Sequence, residues 1–460
     1  MPRTRGRVAI AAAVVAMVGP LLAVPAVAQA QTAQNNRHDD GRVVSAYFAD
    51  WDVYGRGYNV KDIPADKLNV IQYAFAAPTF DKATGAVGCS VLDPWADYQR
   101  PIDGSLAVDG VSDVAGQALF GNFNQLLKLK KAHPGLKVEI SIGGWTKSTY
   151  FADVAATAQR RQAFVKSCVD TFINGNIPGL APGAAKGVFD GIDIDWEYPT
   201  QLAGGNVDYG PADKHNATLL MQELRKQLGP DHLLTAALPA TSKAGQYWEL
   251  PAAVQPMNWV NVMTYDYNVP GGGIAGPDTL FTRDSRDPGA HDPTWNTVGT
   301  VAYYLAKSVP ANKIVVGVPF YGNEYLRAGG LYAKSDNTGQ DGNSLAWDTK
   351  PQPTYHDLVD TAGVVGAGGY SKNWDAQAGE PWLFNPAGAH NLCSAFNADG
   401  SCATPYVATV PTVITYDDPR SIGERTALIK AVGLRGAMAW EISQDSDSHA
   451  LISALSPLLH

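Results

Sequence analysis

Short apolar runs alternate with longer helix-like segments along most of the chain. Eight runs rich in β-branched residues have the length and continuous hydrophobicity of buried parallel strands; they cover 43–48, 69–76, 137–142, 188–196, 233–239, 258–265, 313–320 and 435–440. Between several of them, apolar residues recur at i, i+3 and i+4 and the segment stops at glycine, as in 121–135, 158–174, 213–229 and 421–433. Alternating strands and helices predict parallel βαβ units, and eight such strands predict a closed (β/α)8 barrel. An open doubly wound sheet is the alternative, but no glycine-rich phosphate loop follows the first strand.

The connection after the seventh strand is much longer than the other connections between predicted strands and helices. Residues 322–418, rich in Gly, Pro, Tyr and Trp, separate that strand from the last helical pattern. A structureless loop of this length is uncommon inside a compact domain, and 381–384 and 412–416 have the character of short strands. We therefore predict a small α+β module at 322–418, inserted into a barrel formed by 42–321 and 419–460.

The first thirty residues have the pattern of a cleaved export signal. A basic start, MPRTRGR, precedes an apolar stretch that ends in the small-residue pattern AVAQA at 26–30. A membrane anchor is the alternative, because the apolar run approaches spanning length. Pro20, Pro25 and the polar segment that follows favour cleavage, so we expect residues 1–30 to be removed and the remaining protein to be secreted.

The composition is that of a folded, acidic protein. Hydrophobic residues make up 45% of the chain and aromatic residues 10%, which is too much for a disordered segment. The net charge is −9, and because the basic start lies within 1–30, the rest of the chain is more acidic still. Without a basic run, such a chain is a poor ligand for nucleic acid or an anionic membrane. We expect neither as a partner.

Four cysteines, Cys89, Cys168, Cys393 and Cys402, fit two disulfides in an oxidising compartment. Four cysteines allow three connectivities, and the sequence alone does not decide between them. Cys393 and Cys402 flank an Asn-Ala-Asp-Gly turn sequence, which favours the pairing 393–402 with 89–168. A zinc site is the alternative, but the sequence contains no C-x-x-C and no H-E-x-x-H. We predict no metal.

The fourth strand-like run, FDGIDIDWEYP, carries an unusual set of acids. Asp193, Asp195 and Glu197 are spaced two apart, so all three project from one face of a strand. If that face points into the barrel, Glu197 lies at the C-terminal mouth, where barrel enzymes react. Unpaired carboxylates in a dry interior are unfavourable, so these groups must share protons or find partners. Asp190 adds a fourth acid, and a purely structural role for all four is the less favoured interpretation.

This run resembles the signature of the family 18 glycoside hydrolases, the chitinases. The resemblance continues in matching order from about residue 42 to the C-terminus, through AYFADWDVYGRGYNV (46–60), SIGGW (141–145), MTYDY (263–267), GVPFYG (317–322), TVITYDDPRSI (412–422) and GAMAWEI (436–442). The first of these segments is similar to the first strand and loop of secreted bacterial chitinases. TVITYDDPRSI is similar to the passage that leaves the insertion module in the subfamily that has one.

The resemblance implies a role for each matching residue. Glu197 would be the general acid and then the base that activates water. Asp195 would hold the N-acetyl group of the sugar, and Asp193 would share a proton with Asp195. Asp190 would belong to the same inner network, where a structural role is at least as compatible as a catalytic one. Tyr265 would donate a hydrogen bond to the acetamido carbonyl. Substrate-binding roles are implied for Tyr47, Trp51, Gly144, Trp145, Met263, Asp266, Tyr321 and Trp440.

The aromatic residues predict a binding track. The tryptophans at or just beyond predicted strand ends are expected to stack on sugars: Trp51, Trp145 and Trp440. Trp347, in the predicted insertion, is equally compatible with packing and with stacking. Trp196 has the opposite parity to the acids beside it and is predicted to pack between barrel and helices. Asn323 stands where many relatives have Arg, so we expect different contacts at that corner of the cleft.

The spacing of the acids also bears on mechanism. Retaining glycosidases normally place two carboxyl groups about 5–5.5 Å apart across the bond, one of them as nucleophile. Two Cα atoms two residues apart on one strand are about 6.6 Å apart and approach the substrate from the same side, so Asp195 and Glu197 cannot easily flank the bond. The acetamide of the substrate is then the expected nucleophile, as in the known exception for this family.

Three functions are compatible with the barrel. The resemblance favours a secreted chitinase that hydrolyses β-1,4 bonds of N-acetylglucosamine polymers. An endo-β-N-acetylglucosaminidase acting on N-linked glycans can share the strand-four signature, but the predicted insertion and the tryptophans favour a long polymer. A chitinase-like lectin would lack the acid, whereas Glu197 is present. The resemblance implies chitin and chitooligosaccharides as binding partners, no cofactor, and a monomer.

Overall fold

A computed structural model describes residues 41–340 and 351–460. The predicted export signal, residues 1–30, and Trp347 lie outside the described residues. Within those residues, no helix combines the length and the apolar character needed to cross a membrane.

Thirteen strands occur in the described part of the chain. Their bounds in chain order are β1 (Val43–Ala49), β2 (Val70–Phe80), β3 (Val87–Val91), β4 (Lys137–Gly143), β5 (Gly191–Asp195), β6 (Leu233–Pro239), β7 (Trp259–Met263), β8 (Ile314–Pro319), β9 (Gly322–Leu326), β10 (Ser371–Asp375), β11 (Glu380–Cys393), β12 (Pro405–Tyr416) and β13 (Gly436–Trp440). Each of the eight predicted strand runs overlaps one of them, and the ends differ by a few residues.

Eight of these strands run parallel and close into a barrel, in the order β1, β13, β8, β7, β6, β5, β4 and β2. Strand β1 pairs with β13 on one side and with β2 on the other, so the ring is complete. This closure confirms the predicted (β/α)8 barrel and excludes an open doubly wound sheet. Strand β3 adds to the far end of β2 as an antiparallel arm.

The α-helices in the described residues are α1 (Gly121–Ala132), α2 (Phe151–Ala155), α3 (Ala158–Cys168), α4 (Asp213–Leu228), α5 (Ser242–Gly245), α6 (Thr297–Ala306), α7 (Pro419–Val432) and α8 (Ala450–Leu455). Helix α7 begins and ends at residues that commonly cap helices. The Asp418 side chain accepts the backbone N–H groups of Arg420 and Ser421, Pro419 occupies the first turn, and Gly433 ends the helix with φ 72°. The predicted helix 158–174 divides into α3 and a π-helical turn at 169–173.

Alternate side chains along β5 face opposite sides of the strand: one set packs in the core between the barrel and its helices, and the other points into the barrel. Ile192 and Ile194 are fully buried in the main hydrophobic core between the barrel and its helices. Trp196 continues this outward face and stacks on Phe151 with ring centroids 5.3 Å apart, as its parity predicts. The intervening carboxyl groups therefore point into the barrel.

A four-stranded antiparallel sheet, in the order β10, β11, β12 and β9, lies within the segment predicted as an insertion. Strand β9 begins three residues after β8 and pairs with the end of β12, so the chain passes directly from barrel to sheet. The described part of this segment also contains a π-helical turn at Asp357–Thr361. The limits 322–418 remain a prediction.

Of the two predicted disulfides, the structure contains one. Cys393 and Cys402 are bonded and close a short loop beside β11 and β12. The predicted pairing of Cys89 with Cys168 is wrong for this structure, because both thiols are free. The two groups lie in hydrogen-bonding contact, and burial, followed by that contact, raises the pKa of Cys168, which keeps this thiol protonated and unreactive.

Candidate active site

The end of β4 holds the end of β5 through two glycines. Gly143 and Gly144 have φ values of 115° and 90°, and the N–H of Gly144 donates to the carbonyl of Asp195 at 2.8 Å. A Cβ on Gly143 would lie 2.1 Å from that carbonyl oxygen, so a side chain there is excluded. Gly144 lies beneath Phe75 rather than in the cleft lining. Its N–H holds the backbone of Asp195, and its substrate-binding role stays a prediction.

Ser148 fixes the backbone of Glu197. Its hydroxyl lies 3.0 Å from the N–H of Glu197 and 3.0 Å from the carbonyl of Gly144, so it accepts from one and donates to the other. Glu197 follows β5 by two residues, at the C-terminal mouth of the barrel, and the residue is 8% exposed. The acid is therefore almost enclosed but still reaches the cleft.

Asp193 is the most strongly hydrogen-bonded carboxyl group in the barrel interior. Its Oδ2 accepts the hydroxyls of Tyr47 and Ser141, each at 2.8 Å. Its Oδ1 accepts the hydroxyl of Thr235 at 2.6 Å and the amide of Asn261 at 3.3 Å. Burial raises the pKa of Asp193, whereas these four donors stabilise the ionised form and oppose the rise.

Asp195 is bound very differently. Its carboxyl group is buried, and Oδ1 has no hydrogen-bond partner among the described residues. Burial first, then the neighbouring charges of Glu197 and Asp193, raise the pKa of Asp195 well above its ordinary value. Within the described residues no hydrogen bond joins Asp193 to Asp195, so their shared proton remains a prediction.

Glu197 is tuned to donate a proton near neutral pH. Burial raises its pKa to about 7, a side-chain hydrogen bond with Tyr198 opposes the shift, and the charge of Asp266 adds to it. A carboxylic acid that stays protonated up to this pH can serve as a general acid and, once ionised, as a base.

Asp266 completes the acidic lining from the end of β7. It has a φ of 57°, and its N–H donates to Oδ1 of Asp278 at 2.8 Å. Its own Oδ1 accepts the hydroxyl of Tyr321 at 2.8 Å. The hydroxyl-bearing ring of Tyr265 packs beside Tyr321, with centroids 6.4 Å apart. Two tyrosines and an acid thus face Glu197 from neighbouring strands.

The cleft above the acids has a volume of about 750 Å³. Ten of the twelve predicted site residues line it: Tyr47, Trp51, Trp145, Asp195, Glu197, Met263, Tyr265, Asp266, Tyr321 and Trp440. Asp193 lies beneath this layer, and Gly144 lies behind it. A larger cavity of about 1280 Å³ shares Trp51, Asp266, Tyr321 and Trp440 with the cleft, so the groove continues past the acids.

Aromatic rings form the walls of this groove. Trp51 and Trp145 are 46% and 54% exposed, so each presents a broad apolar face to the cleft. Trp440 stacks on Phe75, with centroids 5.8 Å apart and planes 20° from parallel. Phe75 was not among the predicted residues, although its place near the end of the second strand could have indicated it.

Two residues that the sequence analysis singled out, Asp190 and Asn323, lie outside the cleft. Asp190 does not join the inner network, because it precedes β5 at the opposite end of the barrel. There it accepts the N–H of Val138 and pairs with Lys130 at 2.7 Å. Asn323 is buried behind the cleft, where its amide donates to the carbonyl of Asn268 at 2.9 Å. It thus supports the loop that follows Asp266.

Potential metal ligands come together at one place in the described residues. Side chains of His356, Asp360 and Asp447 bring ligand atoms within 4.8 Å of one another at the surface. Exposed acidic groups of this kind are common without an ion, so we assign no metal to them.

A closed parallel barrel with a buried acid at its C-terminal mouth and an aromatic groove above it defines a barrel enzyme of the glycosidase class. Comparison with protein families gives the same class independently. The model of the glycosyl hydrolases family 18 matches residues 43–445. The chain belongs to this family.

Its relatives are chitinases by name. Chitinase A1 of Niallia circulans is 33% identical over 441 residues, which cover 88% of this chain and 57% of that protein. Chitinase C of Streptomyces lividans is 31% identical, with the same coverage of 88% and 57%. The catalytic domain of psychrophilic chitinase B from Arthrobacter TAD20 matches with a TM-score of 0.76 at 28% identity, covering 91% of this chain and 95% of that domain. The chain thus spans 57% of the length of the two curated relatives.

Proposed function

We propose that this protein is a secreted chitinase that cleaves β-1,4 bonds between N-acetylglucosamine residues and retains the anomeric configuration. The observation that carries the proposal is the pair at the end of β5. Glu197 is an acid with a pKa of about 7, and Asp195 beside it has a buried oxygen that finds no hydrogen-bond partner in the described part of the chain, both within an aromatic groove. The names of the relatives favour chitin as the polymer.

Glu197 would act twice. Its proton passes to the glycosidic oxygen as the bond to the anomeric carbon breaks. In the second half of the reaction its carboxylate takes a proton from water, which attacks the same carbon. A pKa near neutrality suits both steps, because the group must be protonated first and ionised afterwards.

The N-acetyl group of the substrate would be the nucleophile. Asp195 accepts the acetamide N–H, Tyr265 donates to the acetamide carbonyl, and that oxygen bonds to the anomeric carbon as the leaving sugar departs. Alignment of this kind can supply about 7–11 kcal/mol of the barrier. Asp193, held by four donors, lies beneath Asp195 rather than at the bond.

The competing mechanism would use Asp266 as a covalent nucleophile, because this acid also faces the cleft. Its engagement by the hydroxyl of Tyr321 favours a sugar-binding role instead. The two mechanisms differ in what can be trapped: an adduct on a carboxylate in one, and a cyclised sugar without an adduct in the other.

A time course on chitin hexamer tests the proposal. We expect β-anomeric product first, strong inhibition by a thiazoline analogue of the cyclised sugar, and no cleavage where glucosamine occupies the subsite at the bond. α-Anomeric first product or a covalent adduct would contradict the mechanism. Release of sugar from a high-mannose glycopeptide but not from chitin hexamer would instead support the N-glycan endoglycosidase. Asp190→Asn, at the far end of the barrel, is the control variant.

Export and domain limits belong to the same proposal. Removal of residues 1–30 is tested by sequencing the N-terminus of protein recovered from the culture medium. An intact N-terminus on cell-bound protein would contradict it.

We propose that 322–418 forms one wall of the groove, which accords with Gln352 lining both cavities. Deletion of this module should then impair long substrates more than short ones.

A further inference from the structure

A fourth acid lies in the barrel interior beneath the catalytic pair. Glu139, on β4, is fully buried, and both of its carboxyl oxygens lie 3.2 Å from the hydroxyl oxygen of Thr235. The same hydroxyl oxygen lies 2.6 Å from Oδ1 of Asp193. Thr235 therefore stands between two carboxyl groups.

A hydroxyl group has one proton to donate and can also accept. Thr235 cannot donate to both acids at once. If both were ionised, one carboxylate would face the lone pairs of the hydroxyl oxygen with no proton between them, which is unfavourable in a dry interior. One of the two acids must therefore carry a proton of its own.

The remaining contacts decide which acid carries it. Asp193 accepts three further donors, from Tyr47, Ser141 and Asn261, and these favour its ionised form. Glu139 has no hydrogen-bond partner other than Thr235 among the described residues. The amide atoms of Gln72, its register neighbour on β2, likewise have no hydrogen-bond partner within 41–340 and 351–460.

The charged groups near Glu139 point the same way. Asp193 on β5 and Asp190, just before β5, both disfavour a second negative charge, and Arg225 of α4 is a cation that favours one. The guanidinium of Arg225 is already bonded to the carbonyls of Pro256, Gly229 and His232 and to Asn258. Burial and the charge of Asp193 raise the pKa of Glu139 well above its ordinary value.

We propose that Glu139 is a positioning residue that stays protonated, donates to Thr235 and so directs the hydroxyl of Thr235 onto Asp193. Asp193 is then a fixed negative charge beneath Asp195. The consequence for turnover rests on the proposed function, whereas the proton on Glu139 does not.

The pH dependence of unfolding shows whether folded Glu139 carries a proton. A glutamate in an unfolded chain has a pKa of about 4.3, so between about pH 5 and the raised pKa of folded Glu139 the folded chain holds a proton that unfolding releases. Such a group makes the folded state less favourable as pH rises, by about tenfold in the unfolding constant per pH unit. Glu139→Gln has nothing to release. We expect the ratio of unfolding constants in urea, wild type over Glu139→Gln, to rise with pH from about pH 5.5 upward, approaching about tenfold per unit until the pH reaches the folded-state pKa of Glu139.

Glu139→Leu is the matched control, because it is also neutral but cannot donate to Thr235. It should show the same pH dependence as Glu139→Gln at a lower overall stability. Parallel pH dependences of wild type and Glu139→Gln would overturn the protonated state. This arm needs no enzymatic activity, so it stands apart from a failure of the proposed function.

Turnover tests the positioning role. An amide N–H can replace the carboxyl proton, so Glu139→Gln should keep kcat within about twofold and leave the pH profile unmoved. Glu139→Leu should lower kcat about tenfold at similar KM, because nothing then directs the Thr235 hydroxyl. If Glu139→Leu does not fold, Thr235→Val takes its place, with Thr235→Ser as the rescue. A shifted pH profile in Glu139→Gln, or unchanged kcat in the leucine or valine variant, would overturn the role.

Discussion

Tyr47→Phe removes one oxygen from the floor of the cleft and leaves the rest of the side chain in place. The ring packs against Trp440, with centroids 5.1 Å apart, and against Phe75 at 6.3 Å, and these contacts survive the change. The lost interaction is the 2.8 Å hydrogen bond to Oδ2 of Asp193, which is fully buried. The variant is therefore a clean test of what the donors on Asp193 do.

The magnitude follows from the charge on the acceptor. A hydrogen bond to a charged group contributes about 1.5–3 kcal/mol. Because the donor stabilises the ionised form, its loss should raise the pKa of Asp193 by about 1–2 units, at 1.36 kcal/mol per unit. Asp193 then becomes neutral at a pH where it is ionised in the wild type, and its effect on Asp195 weakens.

The assay is the pH dependence of kcat on chitin hexamer. The acidic limb reports a group that must be ionised, so it should move to higher pH by about 1–2 units. On the acidic side of the profile, at pH values where Asp193 is protonated in the variant, kcat of Tyr47→Phe should be about 10–100-fold lower than that of the wild type. KM should change little, because the ring that faces the sugar remains.

Tyr73→Phe is the matched control. Tyr73 is also a fully buried barrel tyrosine, and its hydroxyl donates to the buried carboxyl of Asp97, away from the cleft lining. It should lose comparable stability without moving the limb. If Tyr47→Phe leaves the acidic limb in place, or if Tyr73→Phe moves it equally, the reasoning about Asp193 is wrong.

Three further predictions concern the acid and the groove. Glu197→Gln should lower kcat by several orders of magnitude while calorimetry shows oligosaccharide binding retained; activity within tenfold of wild type would contradict the assignment. Wild-type kcat/KM should decline above pH about 7, where Glu197 loses the proton it must donate; a profile level to pH 9 would contradict its role. Trp145→Ala should raise KM about tenfold at unchanged thermal stability, because the ring is 54% exposed and supports little of the core.

The barrel and most of the site could be predicted because both follow short-range rules. Strand and helix periods differ, and the acids two apart on β5 must share a face. That same parity correctly assigned Trp196 to the opposite face. The resemblance added residues from other strands, and ten of the twelve predicted positions line one cleft.

The errors arise where a role depends on a contact between distant segments. Asp190 belongs to the same motif as Asp193, but it stands at the other mouth of the barrel, where Lys130 supplies its counter-charge. Cys89 and Cys168 do meet, but as thiols, and adjacency in space is not visible in a cysteine count. Glu139 carries no local signal either, since a single acid in a buried strand has meaning only beside Thr235.

Hydrogen bonds between distant segments also connect the cleft to the antiparallel sheet. Asp266 is held through its N–H by Asp278, and the N–H of Asp278 is held in turn by Glu380, the first residue of β11, at 3.1 Å. Oε2 of Glu380 also accepts the N–H of Thr279 at 2.9 Å. Asp266, which lines the cleft, is thus connected through Asp278 and Glu380 to the antiparallel sheet by consecutive hydrogen bonds. The link from Asp278 to Glu380 spans 102 positions in the sequence, so local patterns could not have predicted this connection.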